Sequence, residues 1–305
     1  MYMLVVQYLV STQKKKKMRK VSVIMPAYNA ERWIARAILS LQHQTIKDWE
    51  LCIVDDASTD NTIQVIENFM REDNRIKLEC NETNLGCGLT RRRAISMARG
   101  EYVAFLDSDD TFYPTFLEKM LEAMNRTLAD IAVCGVKEYE EGEYKRSILC
   151  DETYCTSKKE LYYQYMNGTW ITQYNCNKMF KKEIIDKHEY SDMRFCEDSY
   201  TTYKWLWEAE NVVVIPDRLF NYYQHANSNS TTKNSPLQKS YDTCRCVWEH
   251  FQFCKQQSFE DMLPRLAMFV YEHLVRCING FDIETEEYKL IDKYRNEFLK
   301  HLKLC

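Results

Sequence analysis

From residue 21 to residue 136, short apolar runs alternate with amphipathic segments of helical period, and this alternation limits the possible folds of the 305-residue chain more than any other feature. The strand-like runs are Val21–Ala27, Glu50–Val54, Arg75–Glu79, Tyr102–Leu106 and Asp130–Val136, each rich in Val, Ile, Leu or aromatic residues. Between them, Glu31–Gln42, Asn61–Arg71, Leu89–Arg99 and Pro114–Asn125 carry apolar residues at helical spacing. Strand and helix in strict alternation imply a mostly parallel sheet covered by helices. Ser58-Thr59-Asp60 supplies capping chemistry ahead of the second helix, and Pro114 sits where a first turn tolerates a missing N–H.

Beyond about residue 140 the pattern changes. Ser157–Met166 and Asp198–Glu210 read as helices and Val212–Ile215 as a returning strand; the polar stretch 227–236 reads as a boundary. Leu237–Gln256, Glu260–Ile278 and Glu284–Leu304 then read as amphipathic helices, expected to pack on the catalytic domain and to mediate self-association or membrane contact without supplying catalytic groups. The expected division is a tail (1–19), a catalytic domain (20–226, with a first part 20–125 and a second 126–226) and a C-terminal helical region (237–305).

A net charge of −4 gives no reason to expect a nucleic-acid partner, and 7 Gly with 5 Pro argue against disorder and turn-rich all-β folds. The thirteen cysteines are scattered, with no CxxC pair, and read as reduced, mostly core residues. No run reaches the roughly 18 apolar residues that span a bilayer. The apolar Met1–Val10 is followed, not preceded, by the basic residues 14–20, the wrong order for a secretory signal. These features predict a cytoplasmic chain, with the basic run a solvated tail or a contact to an anionic membrane face.

In an open α/β sheet, ligands gather at the carboxyl ends of the strands. Three such ends here carry polar clusters: Tyr28-Asn29, Asp55-Asp56 and Asp107-Ser108-Asp109-Asp110. Three carboxylates within four residues repel one another unless a cation lies among them, and hard divalent ions bind through such oxygens together with substrate phosphates. The alternative is a solvated acidic turn capping the next helix.

The runs VSVIMPAYNAERWIARAILSLQHQTIKDWELCIVDDASTDNT and NLGCGLTRRRAISMARGEYVAFLDSDD resemble the nucleotide-sugar-binding half of family 2 glycosyltransferases, of the kind that build bacterial capsule, lipopolysaccharide and cell-wall polymers. The resemblance covers residues 20–125 closely and continues more loosely to about residue 225. It implies the GT-A fold, a Rossmann-like, mostly parallel sheet flanked by helices. It also implies an inverting transfer of sugar from a nucleotide-sugar donor, most readily a UDP-sugar, to a glycan or lipid-linked hydroxyl acceptor, with Mn(II) or Mg(II).

Residue by residue, the resemblance implies that Tyr28 stacks on the nucleotide base and Asp56 accepts from the uracil imide, with Asp55 beside it. Asp107, Ser108 and Asp109 form the DxD element at ribose and metal, with His225 a third candidate ligand. Arg91 would neutralise phosphate, although Arg91-Arg92-Arg93 stands where the family reads Ala-Arg-Asn. Phe195-Cys196-Glu197-Asp198 resembles the family's Glu-Asp element, making Asp198 the candidate base. Asn177-Lys178 resembles an Asn-Lys element, with a surface turn as the alternative. The Gln-x-x-Arg-Trp element of processive synthases is absent, which points to one sugar per encounter. Two other functions remain open at this point: a sugar nucleotidyltransferase, disfavoured by Pro26-Ala27-Tyr28-Asn29-Ala30 in place of a glycine-rich loop, and a non-catalytic nucleotide-sugar-binding protein.

Overall fold

The computed structural model describes residues 21–148, 153–155, 157–167, 172–225, 236–259 and 284–302, with isolated positions at 263, 267, 271, 272, 274, 275 and 282. The basic run, the boundary expected at 227–236 apart from Pro236, and most of the helix expected over 260–278 lie outside the described residues.

Strands β1 (Val21–Ala27), β2 (Trp49–Asp55), β3 (Ile76–Cys80) and β4 (Tyr102–Phe105) pair in parallel in the order β3-β2-β1-β4. The intervening helices are α1 (Ile34–Gln42), α2 (Thr62–Glu72) and α3 (Cys87–Ser96). Beyond β4 come the short β5 (Thr111–Phe112), α4 (Phe116–Thr127) and β6 (Ile131–Glu140). Next are β7 (Glu143–Ile148), β8 (Thr153–Cys155), α5 (Lys158–Asn167), β9 (Lys178–Lys181) and α6 (Lys182–Ile185). The chain continues through α7 (Glu197–Glu208), β10 (Val212–Gln224), α8 (Pro236–Gln256) and α9 (Glu286–Leu302).

Strand residues alternate between two cores, as a period of two requires. Ile24, Val54, Val103, Phe105, Val133 and Phe180 face one side, beneath α3, α5, α7 and α8. Val23, Met25, Leu51, Ile53, Ala104 and Met179 face the other, beneath α1 and α4. On the first face the fully buried Trp205 of α7 packs against Phe105 and Phe180 (ring centroids 5.8 and 5.2 Å), so truncating it to Ala should cost about 3–5 kcal/mol.

The structure departs from the sequence expectation in several places, the short strands β5, β7 and β8 among them. The unexpected β9 inserts antiparallel between β4 and β6, and β5, β7 and β8 also pair antiparallel. The four residues of β9, KMFK, are too short to show a period. β10 runs thirteen residues instead of stopping at Ile215. Pro216 interrupts the apolar run as a terminator would, but the strand absorbs it in a register shift between Val214 and Arg218 and then resumes pairing with β6. The cap expected at Ser58-Thr59-Asp60 is real only at Asp60: its Oδ1 accepts the Thr62 N–H at 3.0 Å, while Asn61, the residue entering the helix, makes no side-chain cap.

The C-terminal helix α8 does pack on the sheet domain. Cys244, Val247, Trp248, Phe251 and Cys254 are buried in the same core as Tyr162, Tyr203 and Trp205. Among the described cysteines none is in a disulfide, and Cys52, Cys134, Cys176, Cys244, Cys246 and Cys254 are buried. Among the described residues, no helix is long and apolar enough to cross a membrane.

Candidate active site

The order β2-β1-β4 places the three polar strand ends side by side. After β1, Tyr28 is 50% exposed and Asn29 takes a left-handed backbone (φ 48°). The Asn29 N–H donates to Ser58 Oγ (2.9 Å) and its Oδ1 accepts the Thr59 N–H (2.8 Å), so the loops after β1 and β2 are tied together. Asp55 is buried and accepts the Ser58 N–H at 2.8 Å. Asp56 is buried as well. Its Oδ1 accepts from Asn81 Nδ2 and the Leu85 N–H, and its Oδ2 from the Gly86 N–H, each at 2.8 Å. Among the described residues Oδ2 accepts only this N–H, and a carboxylate oxygen can take a second donor.

Asp107, Ser108, Asp109 and Asp110 follow β4. Asp110, 0% exposed, accepts the Tyr223 N–H of β10 at 2.8 Å through Oδ1, while its Oδ2 is buried with no partner. Burial, and after it the charges of Asp109 and Asp107, push the Asp110 carboxyl well above the usual carboxylate range. The long β10 then delivers His225, whose Nε2 lies 3.0 Å from Asp109 Oδ2 and whose ring stacks on Trp33 at 4.0 Å. Arg36 donates to the Asp109 carbonyl at 2.6 Å and lies over the Tyr223 ring. Asp107, Asp110 and Cys176 bring three ligand atoms within 4.8 Å of one another, and the Cys176 thiol donates to Asp107 Oδ2 at 3.6 Å.

The arginine triplet resolves into one inward residue. Arg91 is 4% exposed, whereas Arg92 and Arg93 pair at the surface with Glu189 and Glu79. The Arg91 guanidinium binds Asp107 Oδ1 (2.6 Å), Glu197 and Asp198 Oδ1 (3.4 Å). Its charge thus faces three carboxylates. Removing it would leave three partly buried carboxylates without a counter-charge, which costs about 3–5 kcal/mol for a broken buried pair. α3 can bring Arg91 this close only because residue 88 is glycine: a methyl group there would collide with the carbonyl oxygens of Ser191 and Met193.

Asp198 opens α7 and is held on one side. Its Oδ1 accepts from the Tyr190 hydroxyl, Asn175 Nδ2 (2.8 Å) and Arg91, while among the described residues Oδ2 accepts only the Asn175 N–H at 3.3 Å. Beside it, burial pushes Glu197 up to about 7, against the pull of Arg91 and with the charge of Asp198 adding to the rise. Asn177 and Lys178 do not form a surface turn. Both are buried, and the Lys178 ammonium donates to the Thr172 and Tyr174 carbonyls, stapling the loop that presents Asn175 to Asp198.

The structure thus links Asp107 through Arg91 to Glu197 and Asp198, and Asp109 to His225, at the strand-end edge that also carries Tyr28, Asp55 and Asp56. Trp33, Arg36, Asn175, Cys176 and Tyr190 were not foreseen. Trp33, Arg36 and Cys176 lie within or beside the motif runs but are residues to which the resemblance gives no role, and contacts with residues distant in sequence bring them in.

An open sheet with an acidic strand-end turn facing a helix-borne carboxylate pair is the arrangement of a GT-A type nucleotide-sugar enzyme. Solved structures share the fold. S. aureus TarS in complex with UDP-GlcNAc superposes with a TM-score of 0.63 at 21% identity, over 89% of this chain and 79% of that one. The mannosyltransferase PcManGT of Pyrobaculum calidifontis, in complex with GDP-Man and Mn2+, gives 0.54 at 15% identity, over 97% and 90%. In sequence, the EpsH protein of Bacillus subtilis (strain 168) is 26% identical over 286 residues, 90% of this chain and 81% of EpsH. Residues 22–189, more than half of the chain, match Glycosyl transferase family 2, and the chain belongs to that family.

Proposed function

We propose that this glycosyltransferase moves a single sugar from a UDP-sugar to a hydroxyl on a glycan or lipid-linked acceptor, inverting the anomeric centre, with Mn(II) or Mg(II) bound at the acidic turn. The observation that carries the reading is the Arg91 guanidinium. It bonds Asp107 on the donor side and Asp198 on the acceptor side at once, so both carboxylates face one reaction space.

On this reading the exposed ring of Tyr28 supports the base and Asp56 Oδ2 accepts from its imide, with Asp55 fixing the loop. The donor set fits a hard cation. It is rich in carboxylate oxygen, and a buried, unpartnered oxygen such as Asp110 Oδ2 is costly unless a proton, a water or an ion meets it. Asp107 and Asp109 would hold the ion, with His225 beside them and Asp110 behind. When bound, it supplies neutralising charge for the departing diphosphate.

The chain's own groups do the rest. Asp198 Oδ1 is occupied by three donors, which leaves Oδ2 to take the acceptor proton as the hydroxyl oxygen bonds to the anomeric carbon. Glu197 and Arg91 orient that carboxylate. Asp198→Asn should lower turnover by ~10²–10⁴-fold and leave donor affinity nearly unchanged, and the product should show inverted configuration by NMR. Retained configuration, or a variant that loses donor binding together with turnover, would remove Asp198 from this role.

A further inference from the structure

The Glu197–Asp198 pair emerges from an irregular segment, residues 189–196, which ends at Cys196 in a left-handed backbone conformation (φ 59°). A residue with a side chain is sterically disfavoured there, so contacts outside the segment must hold it. Those contacts come from α8. Asp242 Oδ2 accepts the backbone N–H groups of both Arg194 and Phe195, each at 3.0 Å. Gln238 Nε2 steadies the other oxygen at 3.0 Å, and Thr243 Oγ1 lies 3.5 Å from Cys196 Sγ. Two turns further along α8, His250 Nε2 donates to the carbonyl of Ser199, the residue after Asp198, at 3.0 Å. α8 therefore grips the chain on both sides of Asp198.

Asp242 is 0% exposed, and no salt bridge to it occurs among the described residues. A buried carboxylate without a paired cation is costly. Here both oxygens are satisfied, and charge-assisted bonds to backbone N–H groups are short and directional.

We propose that Asp242 is a positioning residue for the acceptor-side base: α8 sets the turn from which Glu197 and Asp198 project, so the C-terminal helix is required for the chemistry although it carries no group that touches substrate. The inference rests on the reading of Asp198 as the base. Asp242 lies one loop away from the reacting atoms, and a displacement of about 1 Å at a catalytic group can cost on the order of 10²-fold in rate.

The test uses the full chain and two readouts. The first is Mn(II)-dependent release of UDP from a panel of UDP-glucose, UDP-galactose, UDP-N-acetylglucosamine and UDP-N-acetylgalactosamine; the second is UDP affinity by calorimetry. Asp242→Ala should lower kcat on the best of these donors by roughly 10–100-fold and leave UDP affinity unchanged. Asp242→Asn should recover most of the loss, because its amide oxygen can still accept both N–H groups while Gln238 turns to meet the amide. If Asp242→Ala does not fold, Asp242→Glu takes its place, keeping the charge and moving the acceptor by one methylene, with the same expected split. A folded Ala or Glu variant with wild-type kcat would overturn the proposal. So would kcat and UDP affinity falling together, or equal losses in the Ala and Asn variants, which would assign the effect to charge. If Asp198→Asn itself hydrolyses donor at the wild-type rate, the reading of the base fails. If Asp198→Asn is crippled and the Asp242 variants are not, only the role of Asp242 fails.

Discussion

Acidification from about pH 7 to about pH 5 should remove roughly 2 kcal/mol of folding stability through a single side chain, His250. The ring lies on α8, 4% exposed, against Tyr162, Tyr165 and Tyr203. A carbonyl can only accept, so Nε2 carries the hydrogen donated to Ser199 O, and Nδ1 must accept from the Tyr162 hydroxyl at 2.8 Å. A second ring proton would meet that hydroxyl hydrogen head on. Burial accordingly pushes His250 down from 6.5 to about 4, with the Ser199 carbonyl pulling the other way and the charge of Lys204 adding to the fall. The unfolded chain takes up its proton near 6.5 and the folded chain only near 4. Between these values the unfolded state binds more protons. The contribution is therefore fully present above about 6.5 and is lost as pH falls through about 4. At ~1.4 kcal/mol per pH unit the window amounts to about 3 kcal/mol, of which about 2 is gone by pH 5. Asp242 and Glu197, both raised by burial, act with the opposite sign, since their contribution is lost as pH rises. The clean measurement is thus a difference: urea unfolding of wild type and His250→Gln, followed by tryptophan fluorescence at both pH values. The wild type should lose about 2 kcal/mol more than the variant. Parallel pH dependence in the two proteins would refute the buried neutral imidazole.

Two further outcomes follow from the donor side. Asp109→Ala should abolish transfer, and EDTA should do the same to the wild type, with Mn(II) or Mg(II) restoring the wild type alone; full turnover in chelator would take the metal out of the reaction. UDP should bind more tightly than GDP or CMP by calorimetry, because Asp56 Oδ2 suits an imide donor and Tyr28 a flat base, and a preference for GDP would overturn that assignment of the base pocket.

The sequence by itself determined the frame. Hydrophobic period places β1 to β4 and the helices between them within a few residues, because local pattern and burial agree, most fully in the wholly buried β1, β2 and β4. It also placed the polar clusters at strand ends, since any residue following a central parallel strand falls on the ligand-binding edge. What only the tertiary structure decided lies in the second half. Nothing local distinguishes KMFK as a strand; it becomes β9 because the gap between β4 and β6 offers two rows of unpaired backbone groups. Pro216 marks a stop by local rules and is overruled by the pairing of β10 with β6, and that overrun carries His225 to Asp109. The choice of Arg91 among three arginines is set by the close approach at Gly88, and the hold of Asp242 on the turn before Asp198 is made across 47 and 48 residues of chain. A periodic pattern reports how much surface a segment buries, whereas the partner of a buried charge depends on which distant segment packs against it.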